Sequence, residues 1–511
     1  MTPLLVIFGA GLLLRLWLIW LSPAIYGGDT ILRLVYHDRI LLAYQLPLFQ
    51  AFIFAVAWIS PDPLWVRVMV SAMGALAGVF FYLLSRELMR PPAATAATVL
   101  FVCNPYLLHF SIVPYQEIAM LLFLLAGVYF YWRGKLLPAS VLLALACFTR
   151  YEAWIVAVVC AADFMLKPLS DKSVGGNEPN RAARPLSNDQ KTIAVLWRAF
   201  QGALLFLWAP LVWISYWNGL SPSGTFVLAG GWSWARLYRL IAVSRAVASG
   251  LGWLLIPFFV LGLAISFRSE SGRWTVVNAH RRRPAVFLLL LALLFCAGIL
   301  FSAHGVDPDP ERWVTFREGH LPLVVALMFA GAGVERIISW SRVHYRVASS
   351  LVLLLGLYSL VRAQQWVQKS AKQPELELDL QAARFIEPFL RRGDVAAVLA
   401  RPIPEAEIEK YLTQAKKTGG EAGLKRAHEI LNSLNAGPED YQRLLAYTGA
   451  RRDQLIQGTA VGESKPKLIL VFSDAPLRAL ESIKPLLAAH YNPPELLQVQ
   501  HCRVAIYQRR E

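Results

Sequence analysis

The chain is poor in charge. Only 16% of its 511 residues are Asp, Glu, Lys or Arg, against about 25% in soluble domains. A deficit of that size excludes a protein that is soluble throughout. It is produced by long apolar runs at 4–21, 93–110, 118–132, 251–267, 284–301 and 349–361, in a chain that is 56% hydrophobic. A helix needs roughly 20 mostly apolar residues to cross the hydrocarbon core. Several of these runs suffice alone and others do with their flanks. Cysteine is scarce too. Cys103, Cys147, Cys160 and Cys296 lie in or beside apolar segments, Cys502 stands near the C-terminus, and no CxxC pair occurs. Neither a zinc site nor a disulfide framework is indicated. No internal repeat of the kind many transporters carry is visible. No basic stretch precedes the first apolar run, and Ser22-Pro23-Ala24 is a poor cleavage site. The run at 4–21 therefore reads as a retained first helix, not a signal peptide.

Positive charge, by contrast, is plentiful, with a formal net charge of +16. A basic protein invites a nucleic-acid reading. Here much of the charge sits in short loops between apolar segments, which fits membrane orientation; no nucleic-acid partner is expected. The expected fold is mainly α, a polytopic transmembrane helical bundle of about eleven helices with a C-terminal soluble α/β domain. The segments fall near 4–22, 65–85, 93–110, 116–132, 137–149, 152–166, 193–216, 250–267, 284–302, 321–335 and 348–362. The stretch 46–59 is apolar but short, and reads as a re-entrant or interfacial piece.

Alternate loops differ in Lys and Arg by seventeen to seven, the smaller set being Arg33, Arg39, Arg236, Arg239, Arg245, Arg312 and Arg317. The positive-inside rule puts the larger set in the cytoplasm. That orientation implies a multi-pass protein of the inner (plasma) membrane with a cytoplasmic N-terminus. The loops of Asp29, Glu117 and Arg317 then lie outside, with everything after about residue 370. Segments 137–149 and 152–166 pair as a hairpin turning at Thr149-Arg150-Tyr151-Glu152.

After Val361 the composition changes. Segment 375–460 is rich in Glu, Lys, Arg, Gln and Ala at helical spacing, while 394–400, 467–473 and 498–507 read as strands. The domains are thus 1–365, in the membrane, and 370–511, a small extracytoplasmic α/β domain. No nucleotide or metal motif occurs in the latter, which suits a docking or acceptor-guiding module.

Charged residues near apolar segments stand out, because a charge at the bilayer centre costs about 2.5–3.5 kcal/mol. Tyr26-Gly27-Gly28-Asp29-Thr30 follows the first helix. Its glycines permit a turn that aims Asp29 at the membrane surface; equally, Asp29 could cap a helix starting at Thr30. Asp38 is a second acid in the same loop, or simply a solvated charge. Pro105 and Pro114 bracket an outer turn, and Glu117 opens the next helix, where acid suits the macrodipole. His109 reads as an interfacial residue. Arg150 could pair with Glu152 or hold an anion. Arg317 and His320, one helical turn apart, suit a phosphate or snorkel to headgroups. Trp232 and Trp234 could stack on a sugar or belong to an aromatic belt.

In order along the chain, Gly28-Asp29, Leu46-Pro47-Leu48-Phe49, Val66-Arg67-Val68, Asn104-Pro105, Glu117, Thr149-Arg150-Tyr151-Glu152 and Arg317…His320-Leu321-Pro322 form a series covering roughly residues 1–340. This series resembles the GT-C superfamily of polyprenyl-phosphate-sugar-dependent glycosyltransferases, in particular protein O-mannosyltransferases and the aminoarabinose transferases of lipid A. The resemblance implies a sugar donor on undecaprenyl or dolichyl phosphate, and a protein, lipid or glycan acceptor. It implies Asp29 as catalytic base, Glu117 as a second acid positioning substrate, and Arg150, Arg317 and His320 near the donor phosphate. The family often shows paired acids in the first loop, where this chain has Asp29-Thr30; that leaves Asp38 as a second acid. The chemistry is self-sufficient. A base takes the acceptor proton, desolvation raises its proton affinity, and cations stabilise the departing phosphate. No redox cofactor is required, and a divalent metal is compatible but not demanded. A transporter or flippase of a lipid-linked sugar, and a non-catalytic scaffold, are the competing readings.

Overall fold

A computed structural model describes residues 2–23, 28–38, 40, 46–60, 62–166, 188–220, 234–267, 287, 291, 293–294, 319–340, 345–371, 374–399, 412–413, 439–448, 454–457, 466–472, 477–500 and 502–510. The chain is mainly helical with one small C-terminal sheet. It divides into two compact units. The first comprises Met1–Leu12, Met73–Phe110 and Gln116–Ala363, and the second Leu13–Ala72, Ser111–Tyr115 and Gln364–Glu511.

The helices up to residue 371 are α1 (Thr2–Leu21), α2 (Gly28–Val35), α3 (Pro47–Ile59), α4 (Pro63–Leu88), α5 (Pro91–Val102), α6 (Pro105–Ile112), α7 (Gln116–Trp132), α8 (Leu136–Cys147), α9 (Glu152–Leu166), α10 (Asn188–Phe206), α11 (Trp208–Leu220), α12 (Trp234–Leu251), α13 (Ile256–Phe267), α14 (His320–Trp340) and α15 (Tyr345–Ala371). Among the described residues, three are long and apolar enough to cross a membrane: Pro3–Leu21, Pro63–Leu88 and His320–Ser339. Two bent pairs, α5 with α6 at 52° and α12 with α13 at 106°, raise that number to five. Several expected single segments are therefore broken. The run 93–110 is two helices because Pro105 has no N–H to donate and pushes Asn104 out of the α region. Asn104 makes the break tolerable. Its side-chain oxygen caps α6, accepting from the N–H groups of Tyr106 at 3.0 Å and Leu107 at 3.3 Å, and its amide donates to the Gly250 carbonyl at 3.0 Å. The run 193–216 is α10 and α11, and 250–267 straddles the α12–α13 bend. The stretch 46–59 forms α3, a regular 13-residue helix. Segment 284–302 lies almost wholly outside the described residues.

Small residues set the packing of the first unit. A Cβ on Gly262 of α13 would strike the Phe329 carbonyl of α14, and one on Gly333 of α14 would strike the Phe258 carbonyl of α13. Gly331 meets Ala93 and Ala97 of α5 in the same way. Backbones approach this closely only where side chains are absent, the usual device of helices in lipid, where dispersion replaces hydrophobic drive. Phe81 and Phe101 stack at 4.3 Å between α4 and α5. The chain leaves α7 through Gly134 at φ 73, with the Lys135 N–H donating to the Phe130 carbonyl at 2.9 Å and the Gly134 N–H to that of Tyr131 at 3.0 Å.

The second unit contains the sheet. Its remaining elements are α16 (Pro374–Arg391), β1 (Ala396–Leu399), α17 (Glu439–Thr448), β2 (Leu455–Gln457), β3 (Leu468–Phe472), α18 (Leu477–His490), β4 (Glu495–Val499) and β5 (Cys502–Gln508). The strand order is β2-β1-β3-β5-β4. β1 runs parallel to β2 and β3, and β5 antiparallel to β3 and β4. Strand alternation sends Ala396, Val398, Leu468, Leu470, Val504 and Ile506 to a core with α16 and α17. It sends Ala397, Leu399, Ile469 and Val471 to a second core with α18. The sheet is thus covered on both faces. Val35, at the end of α2, packs against the first core, and α2 itself lies on α17. Arg443 and Asp379 form a buried ion pair in this unit.

The expected single strand at 498–507 is a hairpin instead. Gln500, at φ 53, starts the turn, and Val499 pairs with Cys502. Few residues other than glycine adopt such a φ, so the sequence carries no turn signal at this point.

Candidate active site

Three of the expected site residues, Glu117, Arg150 and His320, lie together with Glu152 in or beside helix starts. Glu117 is the second residue of α7 and is fully buried. Glu152 opens α9 and His320 opens α14. Carboxylates there complement the positive end of the helix macrodipole. Arg150 lies in the link between α8 and α9. Its N–H donates to the Ala146 carbonyl at 3.1 Å, closing α8, and its carbonyl accepts from Ala153 at 3.2 Å, opening α9. That local fold fixes where its side chain starts.

The guanidinium bridges two acids. Nη1 donates to Glu117 Oε1 at 2.8 Å, Nε donates to Glu152 Oε2 at 2.9 Å, and Nη2 donates to Glu152 Oε1. The Arg150 side chain is 13% exposed and that of Glu152 19%. His320 is fully buried, lies within electrostatic reach of Glu152, and sets its ring edge-on to Phe110 at 6.3 Å. Two carboxylates and one guanidinium carry one net negative charge. Such a cluster is expensive to desolvate, and a protonated His320 would neutralise it. Chemically, the cluster offers carboxylate oxygens that can accept from hydroxyls and cations that can face an anion.

The other expected residues fall elsewhere. Asp29 is the second residue of α2, in the second unit. The helix begins at Gly28, so Asp29 stands inside its first turn and does not cap a helix starting at Thr30. Asp38 is exposed in the turn after α2. About 12 Å of helix separates the two ends of α2, so Asp38 and Asp29 flank opposite ends of it. Arg317 and Trp232 lie outside the described residues, as does the side chain of Trp234. His109, read as interfacial, is buried in α6. Arg33, Arg236, Arg239 and Arg245, counted as loop charges, lie within α2 and α12. Among the described residues no group of three His, Cys, Asp or Glu side chains converges as a metal site requires.

Sequence reasoning missed several buried polar residues. Arg33 donates to Gln50 Oε1 at 3.5 Å and lies 5.4 Å from the Phe49 ring. Gln50 donates to the carbonyls of Arg33 at 3.1 Å and Tyr36 at 2.9 Å. Arg15 is fully buried in the middle of α1. A lone arginine in an apolar run was the available signal.

No family model and no curated sequence matches the chain. Solved structures do. The chain is similar to ArnT from Cupriavidus metallidurans bound to undecaprenyl phosphate, at 13% identity over 99% of this chain and 98% of that one, with a TM-score of 0.47. It is also similar to the Archaeoglobus fulgidus oligosaccharyltransferase AglB in complex with an inhibitory peptide and a dolichol-phosphate, at 14% identity over 92% and 69% of the two chains, TM-score 0.46. The apo form of the A. fulgidus enzyme matches at 13% identity over 74% and 57%, TM-score 0.45. One of these structures holds undecaprenyl phosphate and another a dolichol-phosphate. Likenesses this distant define neither a family nor a reaction.

Proposed function

We propose that the chain is a membrane glycosyltransferase, acting on the extracytoplasmic face, that moves a sugar from a polyprenyl-phosphate donor to an acceptor hydroxyl. Residues 1–365 form its membrane region and 370–511 its extracytoplasmic α/β domain. The observation that supports this reading best is the largely buried Glu117–Arg150–Glu152 cluster with His320 beside it, at the ends of mainly apolar helices. Charge retained at such a cost marks function.

In this mechanism Asp29 takes the proton of the acceptor hydroxyl. The oxygen attacks the anomeric carbon as the bond to the phosphate oxygen breaks, and the polyprenyl phosphate leaves with the bonding electrons. Arg317 and His320 stabilise the charge that develops on it. Glu117 and Glu152 hold Arg150 until a phosphate competes for its guanidinium. The donor phosphodiester carries one charge, as a carboxylate does, and the departing polyprenyl phosphate gains a second, which draws the guanidinium more strongly; its fork geometry suits either.

The test is transfer by purified protein given a panel of undecaprenyl-phosphate-linked monosaccharides, with the acceptor identified by mass spectrometry of glycoconjugates from cells with and without the protein. Asp29→Asn abolishes transfer while expression is kept; normal turnover in that variant removes Asp29 from the role. The two bent helix pairs favour a second reading, since interrupted helices also build transporters. Flipping of a lipid-linked sugar in proteoliposomes without any transfer product would establish it.

A further inference from the structure

We propose that Arg67 is a positioning residue that sets the place of α2, and with it Asp29. This rests on the reading of Asp29 as the base. Arg67 lies in the first turns of α4 and is 3% exposed. Its guanidinium donates to three backbone carbonyls: Nη2 to Ser22 at 2.6 Å, Nη1 to Pro23 at 3.0 Å and Nε to Ile112 at 2.8 Å. Ser22 and Pro23 follow directly on α1. Ile112 is the last residue of α6. Carbonyls at helix C-termini lack intrahelical partners and carry the negative end of the macrodipole. One buried cation thus caps two helices at once.

Both capped ends lead to α2. The chain beyond Pro23 enters it within five residues. The turn beyond Ile112 touches it, since Thr30 Oγ1, next to Asp29, donates to the Pro114 carbonyl at 3.5 Å. Ser71, one turn along α4, fixes the same turn by donating to the Ser111 carbonyl at 2.9 Å. All of these residues belong to the second compact unit. α2 is further braced at its far end by Gln50 and by Val35 in the sheet core. Its Asp29 end is held through the turn that Arg67 fixes. Lysine cannot substitute. Its ammonium is a point donor, whereas the guanidinium reaches carbonyls along two edges of a plane.

The experiment uses the full-length protein in detergent, comparing wild type, Arg67→Lys, Arg67→Ala and Asp29→Asn. Hydrogen–deuterium exchange reads the peptides covering 22–35 and 111–115. Steady-state transfer uses whichever undecaprenyl-phosphate-linked monosaccharide supports wild-type turnover. Arg67→Lys is expected to speed exchange in those two stretches alone, and to lower kcat about 100-fold, the usual effect of misplacing a reacting group by an ångström. KM for the donor stays unchanged. Unchanged exchange at 22–35, or faster exchange spread over the whole chain, overturns the proposal, as does a loss that falls on KM. Should Arg67→Ala fail to fold, Arg67→Lys decides. Full turnover in Asp29→Asn would remove the base assignment, and the exchange measurement would still decide whether Arg67 holds α2.

Discussion

The two compact units differ in how they bury arginine: the second, besides its Arg443–Asp379 ion pair, also holds arginines on neutral oxygens. In the first, Arg150 is answered by two carboxylates. In the second, Arg67 is answered by backbone carbonyls and Arg33 by the Gln50 amide oxygen. An arginine held by anions shares a site that an incoming anion can contest. One held by neutral oxygens has no charge to trade and acts as a brace. The contrast separates residues suited to handling a charged substrate from residues suited to holding chain segments.

Three changes would break or sharpen that contrast, in falling order of effect. Arg150→Ala leaves Glu117 and Glu152 facing each other without their cation. Breaking a buried pair in this way costs about 3–5 kcal/mol. Adding Glu117→Gln and Glu152→Gln to Arg150→Ala should restore most of it, read as the melting temperature in detergent. Equal stability of the single and triple variants would show that the cluster is not electrostatically coupled. Gly333→Ala comes next. It puts a methyl against the Phe258 carbonyl, which costs about 3 kcal/mol, the upper end of overpacking. Melting at the wild-type temperature would mean that α13 and α14 separate without loss. Val35→Ala is the mildest, at about 1 kcal/mol. It should speed hydrogen exchange in α17 and the sheet, and leave α13 and α14 untouched.

Much of the architecture was legible in the apolar runs, because burial in lipid leaves long stretches without charge. The strands 396–399 and 468–472 were legible too, since parallel strands buried on both faces read as continuous aliphatic runs. The hairpin at Gln500 was not, because a residue other than glycine carries its positive φ. Glu117, Arg150 and His320 stood out as charges beside apolar segments. The pairing of Arg150 with Glu152 was one of the readings open to the sequence; that with Glu117 was not, since Glu117 lies 33 residues away along the chain. Arg67 was visible as a residue and silent as to its role. Backbone carbonyls, its partners, are the same in every sequence.

The place of Val35 has a consequence for biosynthesis. The sheet core is completed by α2, which leaves the ribosome more than 400 residues before α17. At about 5–20 residues per second, α2 waits roughly 20–80 s for the helix it lies on. Throughout that time Val35 has no sheet core to pack against. A chain truncated by a premature stop before α17 never gains that core, and is the form that quality-control proteases and chaperones should recognise first.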